Sequence, residues 1–222
     1  MNMDQELFAY LETYLTPRRR ELFKKVLAER TNHFTVATEG VYQLHNTSAV
    51  VRSCDVYGIQ NIHVVEEIEG NRIDKEIAMG AQKWVDVNRY TNIKQCITHL
   101  KSQGYAIVAT TPHGNAVTPK TFNIEQKSAF FFGKEGDGLS DYVMNQADVH
   151  LAIPMYGFTE SLNISVAAAI ILYELVIRLK ASHVNWQLTA NEQLAKRMDW
   201  TCATIKSADK IIERFLEARK IP

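Results

Sequence analysis

Apolar residues follow two different spacings along the chain, and the spacing changes near residue 34. Upstream they recur every three or four positions, in one stripe that begins at Leu7 and in a second that follows Pro17. Proline is well suited to the first turn of a helix. We therefore predict two short N-terminal helices.

Downstream of residue 34, short apolar runs typical of strands alternate with amphipathic segments typical of helices. The predicted strands are 34–38, 62–65, 84–87, 105–110, 128–132 and 149–153. The predicted helices are 47–57, 93–103, 140–145 and 164–180. This alternation indicates an α/β domain with a largely parallel sheet. The nearly continuous apolar character of the last strands indicates that both faces of the sheet are covered. After residue 180 the pattern is helical again, and Thr189 and Glu192 have the spacing of a capping box.

Composition is that of a globular protein from a reducing compartment, so we expect a cytoplasmic location. The 222 residues are 46% hydrophobic and 23% charged, and the polar, acidic start is not a secretory signal. No apolar run reaches the roughly 18 residues that a membrane span needs, so we predict no membrane segment. The three cysteines are widely spaced and form no CxxC pair or Cys/His cluster. Neither a disulfide framework nor a metal site is predicted.

The net charge is zero, yet basic residues are concentrated towards the two ends of the chain. Residues 17–30 carry six basic and two acidic side chains, and residues 180–222 carry eight basic and five acidic ones. Solvated helix faces would account for this asymmetry. It is also typical of extensions that bind a polyanion.

The segment 45–58 contains polar residues that have structural explanations of their own. Asn46 is a good N-cap for the predicted helix, and Gly58 is suited to ending it. Arg52 and Asp55 are three positions apart and could pair on the helix surface. On these residues alone, a purely structural role is the first interpretation of both Asn46 and Arg52.

A second segment places three glycines within positions 133–138, directly after a predicted strand. Glycines in such a loop let the backbone approach a ligand closely. Their order is GxxGxG, without GK[ST], so neither the dinucleotide fingerprint nor the phosphate loop is met. Glu135 would repel a phosphate and would suit a cationic or hydroxyl-bearing ligand. A glycine-rich turn with a solvated Glu135 is an equally acceptable interpretation.

In the third segment, 153–165, a strand ends at a proline, passes through a glycine and enters a long apolar helix. Three polar residues crowd the start of that helix: Ser161, Asn163 and Ser165. Because one residue is enough for an N-cap, some of them are left for another task.

Taken together and in this order, the three segments resemble the motifs of the SpoU/TrmH branch of the SPOUT methyltransferases. The pattern N-x-x-A-x-x-R-x-x-D-x-x-G begins at Asn46, and G-x-E-x-x-G-L-S begins at Gly133. The pattern I-P-M-x-G-x-x-x-S-L-N-x-S-x-A begins at Ile153. The resemblance covers roughly residues 34–180. Upstream, residues 15–20 and the helix after them resemble the N-terminal extension of members that methylate guanosine 18 of tRNA.

The resemblance implies a parallel sheet whose C-terminal part is threaded into a deep trefoil knot, a departure from the general rule that chains do not knot. It divides the chain into a helical RNA-binding extension (1–33), a catalytic domain with the knot (34–180) and a helical C-terminal extension (181–222). It also implies an obligate homodimer, with the active sites formed near the subunit interface.

The implied activity is transfer of a methyl group from S-adenosyl-L-methionine (SAM) to a ribose 2′-hydroxyl of RNA, without a metal and with S-adenosyl-L-homocysteine as product. Guanosine 18 in the D-loop of tRNA is the expected target. The cofactor would be held by Thr110, Gly133, Ile153 and Leu162. Arg52 would be the catalytic arginine, and the residues expected to support it or the cofactor are Asn46, Glu135, Ser161 and Asn163.

Two roles stay open for Arg52. Since an arginine is almost always protonated, it is a poor general base unless a substrate phosphate helps it to accept a proton. It could instead bind a phosphate bidentately and position the ribose. The residues expected to bind the tRNA backbone are Arg18, Arg19, Arg20, Lys24 and Lys25.

Three alternatives remain. The target could be another tRNA nucleotide or a ribosomal RNA ribose, and Trp186, Trp200 and Cys202 in the C-terminal region match no pattern that would decide this. The chain could be a knotted RNA-binding protein without catalysis, which the joint presence of the five candidate catalytic residues argues against. It could also be a nucleotide-dependent enzyme with an ordinary doubly wound fold, but no glycine fingerprint follows its first strand.

Overall fold

The computed structural model describes residues 3–41, 44–66, 78–112 and 116–219. The chain divides into two compact units. One unit comprises Thr31–Trp186, and the other combines Met1–Arg30 with Gln187–Pro222. The two ends of the chain, which the sequence presents as separate extensions, thus belong to one unit.

The larger unit is built on a six-stranded sheet in which every pair of neighbouring strands is parallel. The strands are β1 (Phe34–Glu39), β2 (Asn61–Val65), β3 (Asp86–Tyr90), β4 (Ala106–Thr110), β5 (Ser128–Phe132) and β6 (Val149–Leu151). Their order across the sheet is β3-β2-β1-β5-β4-β6. The predicted α/β domain with a parallel sheet is confirmed.

Helices pack on both faces of this sheet. They are α3 (Leu44–Tyr57), α4 (Ile93–Ser102), α5 (Asp141–Gln146) and α6 (Ile164–Lys180). One core lies between the sheet and α3 with α6, and it includes Phe130 and Leu172. The other lies against α4 and α5, and it includes Phe131 and Leu100. Because successive side chains of a strand point to opposite faces, the uninterrupted apolar run of β5 supplies both cores.

Helix α3 differs at its start from the sequence prediction. It begins at Leu44, so Asn46 lies inside the first turn and is not the N-cap. The amide of Asn46 is instead used in side-chain hydrogen bonds to other segments. The predicted end of the helix is confirmed, because Tyr57 is its last residue and Gly58 adopts a φ of 77°. That left-handed conformation is readily adopted by glycine.

The third strand is also displaced from its predicted position. The apolar pair Trp84 and Val85, expected inside a strand, follows a short 3-10 helix (Ala81–Lys83), and the strand runs over Asp86–Tyr90. As the edge strand of the sheet, β3 is only partly buried. Its polar residues therefore gave no strand signal, while the buried Val85 gave a misleading one.

The smaller unit is helical, with α1 (Met3–Glu12), α2 (Pro17–Leu27), α7 (Ala190–Thr204) and α8 (Ala208–Glu217). Thr16 caps α2 by accepting a hydrogen bond from the Arg19 amide, and Pro17 occupies the first turn as predicted. The capping box of Thr189 and Glu192 at the start of α7 is confirmed. Helix α1 packs on α7 and α8, and α2 packs on α7.

Trp200 of α7 is buried against α2. It is 3% exposed, its ring meets that of Phe23 edge-on at 5.5 Å, and the Arg30 guanidinium lies 5.3 Å from its centroid. Trp200 thus has a structural role in the smaller unit, which its sequence context did not reveal. None of the helices within the described residues is long and apolar enough to cross a membrane.

His63 of β2 is buried in the larger unit, against α4. Its side chain shares a hydrogen bond of 3.1 Å with the Tyr90 hydroxyl, and its ring centroid lies 6.1 Å from that of His99. Burial lowers the pKa of His63 to about 4, and the nearby His99 adds to this effect. The folded protein therefore holds His63 neutral at pH values where an exposed histidine is protonated.

We predict that this burial makes the fold sensitive to mild acid. Between pH 6.5 and about 4 the unfolded chain protonates His63 and the folded chain does not, so stability falls as the pH falls through this window, by about 2–3 kcal/mol. Urea unfolding at pH 7, 5.5 and 4.5 should show a steeper loss for the wild type than for His63→Gln. The exposed His183 provides the control, and a His183→Gln curve that departs from wild type as much as His63→Gln would contradict the assignment.

Candidate functional site

Three neighbouring strands, β5, β4 and β6, end at the same edge of the sheet, and the segments that follow them enclose a cavity of about 280 Å³. Ligands of open parallel sheets bind at this edge. The four residues predicted to hold the cofactor all line the cavity: Thr110, Gly133, Ile153 and Leu162. Thr110 also fixes the rim, because its hydroxyl donates to the Phe131 carbonyl at 2.6 Å and joins β4 to β5.

The glycine-rich segment after β5 folds back on itself at one side of the cavity. The backbone groups of Lys134 and Gly138 exchange two hydrogen bonds of 3.2 and 3.0 Å. A Cβ atom at Gly133 would stand 2.1 Å from the backbone carbon of Gly138, a distance that no side chain can occupy. Glycine is therefore required at 133 by close approach of the backbone.

The carboxylate of Glu135, in the middle of this loop, collects amide donors from two helices. Its Oε1 accepts from Asn46 Nδ2 of α3 at 3.0 Å and from Asn163 Nδ2, just before α6, at 2.8 Å. Asn163 Nδ2 also donates to Asn46 Oδ1 at 3.0 Å. The three motifs found in the sequence therefore meet in one hydrogen-bonded triangle.

The polar residues at the start of α6 divide their tasks. Asn163 is the N-cap of α6: its Oδ1 accepts from the Ser165 amide at 2.9 Å and from the Ser165 hydroxyl at 2.6 Å, while its Nδ2 joins the triangle. Ser161 takes no part in the cap and lines the cavity. The surplus of polar groups expected from the sequence is thus accounted for.

Arg52 stands apart from the other predicted catalytic residues. It lies on α3 with an exposed side chain and does not line the cavity. Among the described residues it makes no hydrogen bond or ion pair, so the pairing with Asp55 considered from the sequence is not present. Its guanidinium donors are accordingly directed to solvent and accessible to an anionic ligand.

Sequence reasoning overlooked Glu39, the last residue of β1. Its Oε2 accepts from the Ser140 amide at 2.8 Å, and its Oε1 accepts from the Ser140 hydroxyl at 2.7 Å. Ser140 follows the glycine-rich loop and caps α5. The one sequence signal was the position of a carboxylate at the carboxyl end of a predicted strand.

The cavity is lined by both apolar and acidic residues. Met155 and Ile171 are among the apolar ones, while Glu135 and Glu160 supply carboxylates. Lys134, also at the wall, is paired with Asp137 at 2.8 Å, and this hydrogen bond lowers the pKa of the Asp137 carboxyl. Such a cavity suits a ligand with an apolar ring and a positive charge. The described residues contain no group of three or more His, Cys, Asp or Glu side chains that could hold a metal ion.

Comparisons with known proteins agree with this geometry. The sequence profile of the SpoU rRNA methylase family matches residues 33–173. A tRNA (guanosine(18)-2′-O)-methyltransferase from Borreliella burgdorferi is 36% identical over 197 residues, which span 89% of this chain and 90% of that protein.

Two solved structures share the fold. A TrmH/SpoU tRNA modifying enzyme from Aquifex aeolicus has a TM-score of 0.77 and 31% identity, over 85% of this chain and 98% of that one. An AdoMet-bound rRNA methyltransferase from Sinorhizobium meliloti has a TM-score of 0.62 and 25% identity, over 68% of this chain and 58% of that one.

Proposed function

Because the chain belongs to the SpoU rRNA methylase family, we propose that it transfers the methyl group of SAM to a ribose 2′-hydroxyl of RNA, at guanosine 18 of tRNA. The observation that carries this proposal is the meeting of three distant segments, through Asn46, Glu135 and Asn163, beside one cavity at the carboxyl edge of the sheet. The tRNA target is supported by the relatives from Borreliella burgdorferi and Escherichia coli, which are named tRNA (guanosine(18)-2′-O)-methyltransferases.

The cavity has the chemistry that SAM requires. Apolar side chains of Ile153, Met155 and Leu162 are available for the adenine ring, and the carboxylates of Glu135 and Glu160 favour a cationic ligand. SAM supplies an electrophilic methyl group on a sulfonium. The role of the protein is to hold the attacking hydroxyl oxygen in line with that methyl group, and much of the rate comes from this alignment.

Deprotonation of the 2′-hydroxyl is assigned to Arg52 and the substrate together. The exposed Arg52 guanidinium can bind a substrate phosphate with two parallel hydrogen bonds. In that position it either accepts the hydroxyl proton with the help of the phosphate, or holds the ribose for attack while the proton passes to the substrate phosphate or to water. Glu135, kept in place by the two asparagine amides, fixes the loop beside the cofactor.

The smaller unit provides the cations for the tRNA backbone. Arg18, Arg19 and Lys25 are exposed on α2, and Arg18 and Lys25 lie opposite the buried Phe23 and Leu27. Neutralised phosphates release counterions, which accounts for strong affinity without base recognition. Arg20 and Lys24 add to this surface, although Lys24 is also paired with Glu21.

We further propose that the protein is a knotted cytoplasmic homodimer. Helix α6 supports the dimer, because one of its faces is buried on α3 and the other carries an exposed apolar stripe. The stripe consists of Val166, Ile170, Tyr173 and Ile177, which are 40–54% exposed. Their spacing of four, three and four residues places them on one helix face. A second copy of the chain would remove this apolar surface from water.

We predict methyl transfer from labelled SAM to an unmodified tRNA transcript, with the label mapped to the 2′-oxygen of guanosine 18. Arg52→Ala should reduce kcat/KM by at least about 100-fold, in line with the usual contribution of an acid–base residue. Loss of the pH dependence of the rate in this variant would favour the base role of Arg52. If the label is found at another ribose, the proposed reaction is correct and the proposed target is wrong. If no methyl group is transferred to tRNA or rRNA, the proposed function is wrong.

Replacing Arg18, Arg19 and Arg20 together by alanine should raise the Kd for tRNA by about tenfold at moderate salt. Each lost phosphate contact should also lower the slope of log K against log salt by about 0.7–0.9. A triple variant of exposed lysines in the larger unit, Lys94→Ala, Lys101→Ala and Lys120→Ala, changes the net charge equally and should leave the slope near wild type. Equal slopes for the arginine variant and the wild type would exclude the three arginines from the interface.

The dimer can be tested on the α6 stripe. Light scattering should give about twice the chain mass of 25.3 kDa for the wild type and a single chain mass for Ile170→Asp, because a carboxylate is costly to bury in an apolar interface. Leu194→Asp on α7 is the control, since Leu194 is similarly exposed at 46%. A monomeric wild type, or a dimeric Ile170→Asp, would contradict the proposed interface.

A further inference from the structure

The carboxylate of Glu39 uses both of its oxygens on one residue that lies 101 positions away. Oε2 accepts from the backbone amide of Ser140, and Oε1 accepts from its hydroxyl. The Ser140 hydroxyl in turn accepts from the Val143 amide at 3.4 Å, so its orientation is set from both sides. Hydrogen bonds to an ionised carboxylate are about twice as strong as those between neutral groups.

Glu39 is carried on a rigid part of the fold. Strand β1 lies between β2 and β5 near the middle of the sheet, and Glu39 itself is in register with Val65 of β2. Its carboxylate is therefore a fixed point at the carboxyl edge of the sheet. Glu39 does not line the cavity, so it does not touch a ligand bound there.

The segment that Glu39 holds is the wall of the cavity. Residues 133–136 and Gly138 line it, and the loop is closed on itself by the hydrogen bonds between Lys134 and Gly138. Among the described residues, the attachments of this closed loop to the rest of the unit include β5 before it, Glu135 within it, and Ser140 after it. Without the hydrogen bonds to Glu39, the segment between the loop and α5 would lose its attachment to β1.

We propose that Glu39 is a positioning residue for the cofactor, holding the loop of residues 133–140 in the shape that binds SAM. The inference rests on the proposed function, because it takes SAM as the ligand of the cavity. Glu39 acts before the chemical step, so its loss weakens cofactor binding and leaves methyl transfer nearly unchanged once SAM saturates the site.

The test is calorimetric titration of the wild type, Glu39→Ala, Glu39→Gln and Ser140→Ala with SAM, well below each unfolding temperature. Glu39→Ala and Ser140→Ala should raise the Kd for SAM about tenfold. In a methyl-transfer assay, the KM for SAM should rise by a similar factor, and kcat should stay within about threefold of wild type. Glu39→Gln keeps one acceptor oxygen for the Ser140 amide and should recover part of the affinity. Glu125→Ala removes an exposed carboxylate outside the cavity and is the control.

The outcomes separate the inference from the function on which it rests. If the wild type binds SAM and Glu39→Ala and Ser140→Ala bind it equally well, Glu39 is a stabilising surface contact and the inference is wrong. A lower unfolding temperature with an unchanged Kd has the same meaning. If the wild type itself does not bind SAM, the proposed function fails and the inference fails with it. The effects of Glu39→Ala and Ser140→Ala on the Kd should not add in the double variant, because Glu39→Ala already removes the contact with the Ser140 hydroxyl.

Discussion

Two hydrogen bonds on the Glu135 carboxylate connect three segments that are far apart in the sequence. They join the first turn of α3, the loop after β5 and the residue before α6. Each of these segments contributes one polar side chain to the network: Asn46, Glu135 or Asn163. An amide carries two donors and one carbonyl acceptor, so Asn46 and Asn163 can bind Glu135 and each other at once. The shape of the cavity beside them follows from this arrangement.

Much of the larger unit could be predicted because its strands are buried on both sides. The run Ser128–Phe132 was placed correctly because five consecutive strand residues with no exposed side chain leave little choice of structure. The edge strand β3 was misplaced because half-exposed strands tolerate polar residues and lose the apolar signal. The sequence prediction of Asn46 as an N-cap is wrong because it uses only neighbouring residues. The side chain of Asn46 is hydrogen-bonded to Glu135, which lies 89 residues away.

The candidate site also contains residues that the sequence could reveal and residues that it could not. Gly133, Ile153 and Leu162 were found at the cavity because each belongs to a contiguous motif, and motifs can be recognised without knowing the fold. Glu39 belongs to none, since one glutamate at the end of a strand has many explanations, and only the fold brings it to Ser140. Trp200 could not be interpreted for the same reason, because its partner Phe23 comes from the opposite end of the chain.

Helix α6 contributes residues both to the cavity and to the exposed apolar stripe. Ile164, Ala167 and Ile171 line the cavity, while Val166, Ile170 and Tyr173 are exposed on another side of the same helix. A helix of 17 residues moves as a stiff rod, so a shift of one side displaces the other. If a second copy covers the exposed side, any effect of cofactor binding on subunit association must be matched by an equal effect of association on cofactor affinity. Such a coupling would make the stability of the dimer depend on whether its cavities hold the cofactor.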